Sequence, residues 1–349
     1  MSVTPTDTVA PADALAERDR VVSERRHDRL RGIVGLLVSL LAIGGVALWA
    51  SDQSAPRFPS SAQSWSWLLL GFALIALATA IRGARWDLIL RRAGVDHRRI
   101  DAFALTVVGY MGNTILPARG GEVLRILLLS ERSGARRREI LGSILPERLL
   151  DAAALMVLFI TLVFAGVADG SVGPWPAIAA SALLVAGLVA GWIYLRVRVA
   201  GRLVGFADRV RPVARASRLL LTRTGVALFI VTCGVWLLEG LIFWLGARSL
   251  EVPLGVFEAL FVVILASGSA LVPAAPGYVG TYDAAALFAL HAVGVSGGAA
   301  IGCVLLFRFV IFVPITVAGL GLMVGRYGGL RGALRRGSSA PPASAAPPA

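Results

Sequence analysis

Lysine is absent from this chain: all 34 basic residues are arginine, against 21 acidic residues, a formal net charge of +13. An arginine-, alanine- and glycine-rich composition accounts for that bias. No Gly-x-x-x-x-Gly-Lys phosphate loop occurs, so ATP-driven transport by this chain alone has no support. The two cysteines, Cys233 and Cys303, lie within apolar runs. That excludes a disulfide framework and reads as two buried small hydrophobes. Of the three histidines, His27 and His97 fall in basic segments and His291 in an apolar one. No set of His, Cys and acidic residues has a metal-ligand spacing, so neither a metal nor another cofactor is expected. No serine nucleophile motif stands out, and no catalytic residue is assigned. A small-residue cleavage site is missing after the first apolar run, so a cleaved signal peptide is not expected.

What the chain has in abundance is long apolar sequence, 57% of its residues being hydrophobic. The runs Gly32–Ala50, Trp65–Ile81, Leu149–Val167, Trp175–Leu195, Val226–Leu245 and Ala300–Val324 are each close to the roughly 20 residues a helix needs to cross a bilayer. Arginines cluster in residues 18–31, 82–99 and 196–223, whereas residues 51–64, 168–174 and 246–256 are nearly free of them. The charges therefore belong to the positive-inside pattern of a multi-pass cell-membrane protein with both termini cytoplasmic, and not to nucleic-acid binding. The organisation expected is a basic N-terminal segment over 1–31, a membrane domain over 32–325, and a Pro/Ala/Ser-rich disordered tail over 326–349. Neither terminal segment is long enough for a folded catalytic domain.

Two apolar segments are broken by the same pattern. Gly112-Asn113-Thr-Ile-Leu-Pro117-Ala-Arg119-Gly-Gly121 and Gly268-Ser-Ala-Leu-Val-Pro273-Ala-Ala-Pro276-Gly277 both fit Gly-x-x-x-x-Pro-Ala-x-x-Gly. Proline and glycine leave backbone groups without intrahelical partners, which lipid cannot satisfy and a protein-lined or wet cavity can. Each break is followed by an aliphatic residue, a glycine, five residues and an arginine, ending at Arg148 in one half and Arg308 in the other. Three crossings separate the breaks, and an odd number inverts the second relative to the first. The fold class predicted is all-α: a polytopic helical bundle of six full transmembrane helices plus two broken, re-entrant helical hairpins in an inverted repeat. Paired breaks of this kind point to a transporter site.

Ionisable groups at membrane depth are costly and face the bundle interior. The candidates are Glu122, Arg125, Glu147, Arg148, Asp151, Glu239, Asp283 and Arg308. Arg148 and Asp151 are three residues apart and can pair on one helix; Arg119, Glu122 and Arg125 would form one polar stripe if the stretch after Gly121 is helical. Arg308 has no acidic neighbour in sequence and needs a distant carboxylate, backbone carbonyls or a ligand anion. Arginine matches phosphate geometry bidentately, so Arg119, Arg125, Arg148 and Arg308 together suit an anionic lipid headgroup.

Four separated motifs in order resemble the flippase-like membrane region of lysylphosphatidylglycerol synthases: Pro117-Ala-Arg119-Gly-Gly121-Glu122-Val-Leu-Arg125, Glu147-Arg148-Leu-Leu-Asp151, Pro273-x-x-Pro276-Gly277-x-x-Gly280, and Arg308. The resemblance runs over about residues 30–325. Tyr278 stands where the family often has glycine, and Asp283 where it has glutamate. It implies a substrate-binding set of Asn113, Pro117, Arg119, Glu122, Arg125, Glu147, Arg148, Asp151, Pro276, Gly277, Gly280, Asp283 and Arg308. The function expected is a flippase, not an enzyme, moving an anionic, aminoacylated or glycosylated lipid between leaflets. The partners expected are the bilayer, a phospholipid or lipid-linked headgroup, and a separate lipid-modifying enzyme. The alternatives are a scaffold for such an enzyme, or an integral-membrane glycosyltransferase. The glycosyltransferase would need an acidic external loop, and the first such loop offers only Asp52 and the next only Asp169.

Overall fold

The computed structural model describes residues 59–116, 119–167, 220, 222–269 and 276–329. The expected crossings Gly32–Ala50 and Trp175–Leu195, the prolines Pro117 and Pro273, the basic N-terminal segment and the C-terminal tail from residue 330 lie outside them. Within them the chain is helical: α1 (Ala62–Arg92), α2 (Arg99–Ile115), α3 (Gly120–Ser133), α4 (Arg137–Phe164), α5 (Arg223–Ser249), α6 (Val256–Gly268), α7 (Thr281–Ala292) and α8 (Gly297–Tyr327), with a one-turn 3₁₀ segment at Pro276–Tyr278 before α7.

Three of these helices, α1, α5 and α8, are long and apolar enough to cross a membrane. Their ends are set by local chemistry. Ser61 accepts a hydrogen bond from the Ser64 N–H at the start of α1, and Thr222 does the same for Gly225 at the start of α5; each satisfies a donor that the first helical turn leaves open. Arg91 and Arg92 fall in the last turn of α1, where cations favour the helix dipole. The helix α4 is 28 residues long, but its interior carries Glu147, Arg148 and Asp151. Pro146 sits inside it and removes one backbone donor without ending the helix.

Apolar side chains such as Leu69, Ile230, Phe288, Phe309, Val317 and Val324 face outward, while Arg85, Asp87, Asp101, Arg125 and Glu147 are buried. That polarity is the reverse of a water-soluble domain and fits a lipid surround. One apolar core joins α5, α6, α7 and α8 through Phe243, Leu260, Phe261, Leu290 and Phe307. Phe243 and Phe307 meet edge to face at 4.8 Å. A second core packs Trp86, Leu105, Leu124, Leu128 and Leu129 of α1, α2 and α3 with Met323 of α8.

Each broken segment is a pair of short helices. Between α2 and α3 the backbone is so close that a Cβ on Gly112 would lie 2.6 Å from Gly121 Cα, and one on Gly121 would collide with the Gly109 carbonyl. Only glycine fits there. The chain enters α3 through Arg119 in the left-handed conformation (φ 56°), and Asn113 Oδ1 accepts the Gly121 N–H at 3.1 Å. A side chain of one helix thus satisfies the exposed start of the other. In the second pair, α7 follows Gly280 (φ 88°), and the Gly280 N–H donates to Asp283 Oδ2 at 2.8 Å.

The two pairs start from different ends of the bundle. Asp101, in the first turn of α2, binds Arg132 at the end of α3 and Arg326 at the end of α8, at 3.2 and 2.8 Å. The Arg-rich ends of α2, α3 and α8 therefore lie together. At the other end, Ser61 and Trp67 of α1 share a hollow of about 370 Å³ with Arg248, Glu251 and Pro253; α6 begins directly after this stretch.

Candidate functional site

Most of the charges at membrane depth gather in one place, an ion-pair network with a separate Arg82–Glu239 pair beside it. Arg125 of α3 and Glu147 of α4 form a bidentate pair, with Nη2–Oε2 at 2.7 Å, and the Arg125 guanidinium stacks 3.9 Å from the Trp86 ring centroid. Glu147 also faces Arg85 of α1 at 3.6 Å. Arg85 binds Asp151 at 2.7 Å and donates to Thr232 Oγ1 of α5 at 2.8 Å. Arg148 reaches Glu122 at 2.8 Å and Asp151 at 3.5 Å. Arg82 of α1 binds Glu239 of α5 at 2.6 Å. Every one of these charges therefore has a partner of opposite sign, the condition under which a low-dielectric interior tolerates them.

This network forms one wall of a cavity of about 170 Å³. It is lined by Ile75 and Arg82 of α1; Tyr110, Asn113 and Thr114 of α2; Arg148 and Asp151 of α4; Trp236 and Glu239 of α5; Tyr278 of the 3₁₀ turn; and Ile311, Phe312 and Ile315 of α8. A cavity of roughly 150 Å³ holds a benzene-sized molecule, so this one has room for a small polar headgroup and not for acyl chains. The two breaks meet at it: a Cβ on Gly277 would lie 3.4 Å from the Thr114 carbonyl. The larger hollow at the opposite end touches none of the ion-pair network.

The sequence-predicted residues divide into three groups. Asn113, Arg148 and Asp151 line the cavity, and Glu122, Arg125 and Glu147 stand behind them in the network. Gly277, Gly280, Asp283 and Arg308 form a separate clasp, and Pro276 opens the 3₁₀ turn that it holds. Arg308 binds Asp283 through both Nε and Nη2, and donates to the Gly277 and Tyr278 carbonyls at 3.1 Å each. Arg119 is the left-handed cap before α3 and not part of a helical stripe with Glu122 and Arg125; Pro117 lies outside the described residues. The convergence of Arg119, Arg125, Arg148 and Arg308 on one anion is not what the side chains do. Arg125 and Arg308 are held by carboxylates, and of the four only Arg148 lines the cavity.

Sequence reasoning missed Arg82 and Arg85, which it placed with the cytoplasmic arginines of 82–99. The structure buries both inside α1, at 7% and 2% exposure. The signal was present: after Arg85 the run Trp86, Leu88, Ile89 and Leu90 keeps the helix apolar, so the membrane segment extends past these arginines. Glu239, one of the expected interior charges, finds its partner in Arg82. Tyr110, Trp236 and Phe312 carried no motif and were not singled out; Tyr278 stood out only as a departure from the family pattern.

Helices with outward apolar faces around buried ion pairs define a multi-pass helical membrane protein. The chain matches the family described as the lysylphosphatidylglycerol synthase TM region over residues 32–319. It belongs to that family. It is also similar to a UPF0104 membrane protein of Methanothermobacter thermautotrophicus, with 23% identity over 318 residues that span 83% of this chain and 91% of the relative.

Proposed function

We propose that this protein moves a lipid across the membrane, with the headgroup held in the cavity between the two breaks and the acyl chains left in the bilayer. The observation that carries the reading is the cavity wall. Arg82, Arg148, Asp151 and Glu239 place both signs of charge in a membrane interior where charge is otherwise costly, and both broken segments reach it through Asn113, Thr114 and Tyr278. Membership of a family named for a lipid synthase's membrane region agrees with a lipid as cargo.

The full architecture proposed is six crossings and two re-entrant hairpins related by inversion, in the cell membrane with both termini cytoplasmic. Several features support it. The α2–α3 pair starts and ends at the Arg-rich end, held by Asp101, whereas α6 starts from the opposite one. The third residue of α3, Glu122, pairs with Arg148 on the next long helix; the third residue of α7, Asp283, pairs with Arg308 on the next long helix. Rocking of two such units about a shared site would expose it alternately to each side. A separate lipid-modifying enzyme remains the partner that would supply the cargo.

The test is reconstitution of the purified protein in liposomes carrying fluorescent lipids of several headgroups, with the outer-leaflet label bleached chemically. Protein-dependent movement of at least one lipid is expected, and Arg148→Gln should return it to the protein-free rate. Rates equal to empty vesicles for every headgroup would sink the proposal.

A further inference from the structure

The charges around the cavity balance. On its wall the guanidiniums of Arg82 and Arg148 meet the carboxylates of Asp151 and Glu239. Behind the wall Arg85 and Arg125 share Glu147, and Glu122 pairs with Arg148. Among the described residues the network holds no surplus of either sign to neutralise a ligand. A net-anionic headgroup entering it would leave one uncompensated charge in a low-dielectric site, and so would a net-cationic one.

Two further features bear on what enters. Trp236 lines the cavity, is 9% exposed, and its indole N–H has no acceptor among the described residues. An indole N–H only donates, so it is matched by a ligand oxygen. Tyr110, Tyr278 and Phe312 line the same space, and aromatic faces attract a cation. Arg82 already uses the Tyr110 and Trp236 rings in this way, at 5.7 and 5.6 Å, and Arg308 the Phe312 ring, at 5.1 Å. The wall therefore offers donors for a phosphate and carboxylates with aromatic faces for an ammonium.

Resting on the headgroup reading of this cavity, we infer that it selects a net-neutral, zwitterionic headgroup, a phosphodiester that carries its own ammonium, over lipids of net negative or net positive charge. Such a ligand inserts into the existing pairs by exchange. Its phosphate takes a guanidinium, its ammonium takes the carboxylate released, and the network stays balanced. The inference concerns binding, so it stands or falls separately from movement across the membrane.

The experiment measures lipid binding to the detergent-solubilised full chain by native mass spectrometry. The probes are short-chain phosphatidylethanolamine (net 0), phosphatidylglycerol (net −1) and a diacyl trimethylammonium lipid (net +1). The wild type is expected to bind phosphatidylethanolamine more tightly than either charged lipid by on the order of tenfold. Glu239→Gln leaves the network one positive charge in excess and should turn the preference to phosphatidylglycerol. Arg148→Gln leaves it one negative charge in excess and should turn the preference to the trimethylammonium lipid. The double variant Arg82→Gln/Glu239→Gln is balanced again and should recover the wild-type order. A wild type that binds phosphatidylglycerol or the cationic lipid as well as phosphatidylethanolamine overturns the inference. So do folded single variants that keep the wild-type order. If a single variant fails to fold, the wild-type order decides alone. Selective binding with no movement in liposomes would defeat the transport reading and leave this one standing.

Discussion

The two halves of the protein use the same device to different ends. In each, a short helix follows a left-handed residue or glycine, its third residue is acidic, and that acid pairs with an arginine on the next long helix: Glu122 with Arg148, Asp283 with Arg308. Around Arg148 the pair opens into a network that also takes in Arg85, Arg125, Glu147 and Asp151, and together with the neighbouring Arg82–Glu239 pair it borders a cavity. Around Arg308 the pair closes on the Gly277 and Tyr278 carbonyls. A guanidinium has five donors in a fixed fork. One that spends them on backbone oxygens fixes a turn; one shared among several carboxylates can change partners. The first half is therefore read as the binding side and the second as the clasp that holds the opposing break in place.

The sharpest way to break that comparison is to remove the centre of the first network. Arg85 is buried and binds Asp151, Glu147 and Thr232, so Arg85→Gln leaves the network one negative charge in excess and should cost about 3–5 kcal/mol. The check is thermal unfolding in detergent, and a melting temperature unchanged from wild type would show that the network does not carry the fold.

The clasp comes next. Arg308→Gln loses a charged pair and two carbonyl contacts and should cost about 2 kcal/mol. Any folded fraction should keep the wild-type order of lipid binding. Altered headgroup preference with unchanged stability would move Arg308 from clasp to ligand site and erase the distinction between the halves. A similar loss, roughly 1–3 kcal/mol, is expected for Gly121→Ala, because the added methyl meets the Gly109 carbonyl. Gly234→Ala, where no atom of the described residues lies within 4 Å of the new Cβ, is the matched control.

Smaller effects sharpen the picture. Glu122 and Arg148 are partly exposed, at 23% and 30% of their side chains, and Arg148 keeps Asp151 when Glu122 is lost. Glu122→Gln should therefore cost no more than about 1 kcal/mol of stability while lowering lipid movement in liposomes. Stability and transport falling together would mean that Glu122 serves folding alone. At the Arg-rich end Arg99, whose side chain is 70% exposed, pairs with Asp87. Arg99→Gln should shift stability by about 0–1 kcal/mol, less still in high salt.

Much of the site was legible because lipid makes certain residue types conspicuous. Proline, glycine and charge are costly in a membrane segment, so Gly112, Gly121, Gly280, Glu147, Arg148, Asp151 and Arg308 stood out from their surroundings. The pairing of Arg148 with Asp151 followed from helical spacing alone. Arg82 and Arg85 were hidden for the opposite reason. Arginines just past an apolar run look like the positive charges that flank every crossing, and only the burial of α1 beyond them shows otherwise. The aromatic residues of the cavity were hidden too, since in a chain so apolar an aromatic side chain is the ordinary case.

By itself the sequence determined that this is an all-helical membrane protein with two breaks and a set of interior charges. Hydrophobic length, helix-breaking residues and helical spacing are local properties and can be read locally. Which charge neutralises which was a matter of tertiary structure. Arg82 with Glu239, Arg85 with Asp151 and Arg125 with Glu147 pair between different helices, and Coulomb attraction at ion-pair distance depends on where helices sit and not on order along the chain. The balance of those pairs around a cavity, and hence the kind of headgroup it would take, exists only once the helices are packed.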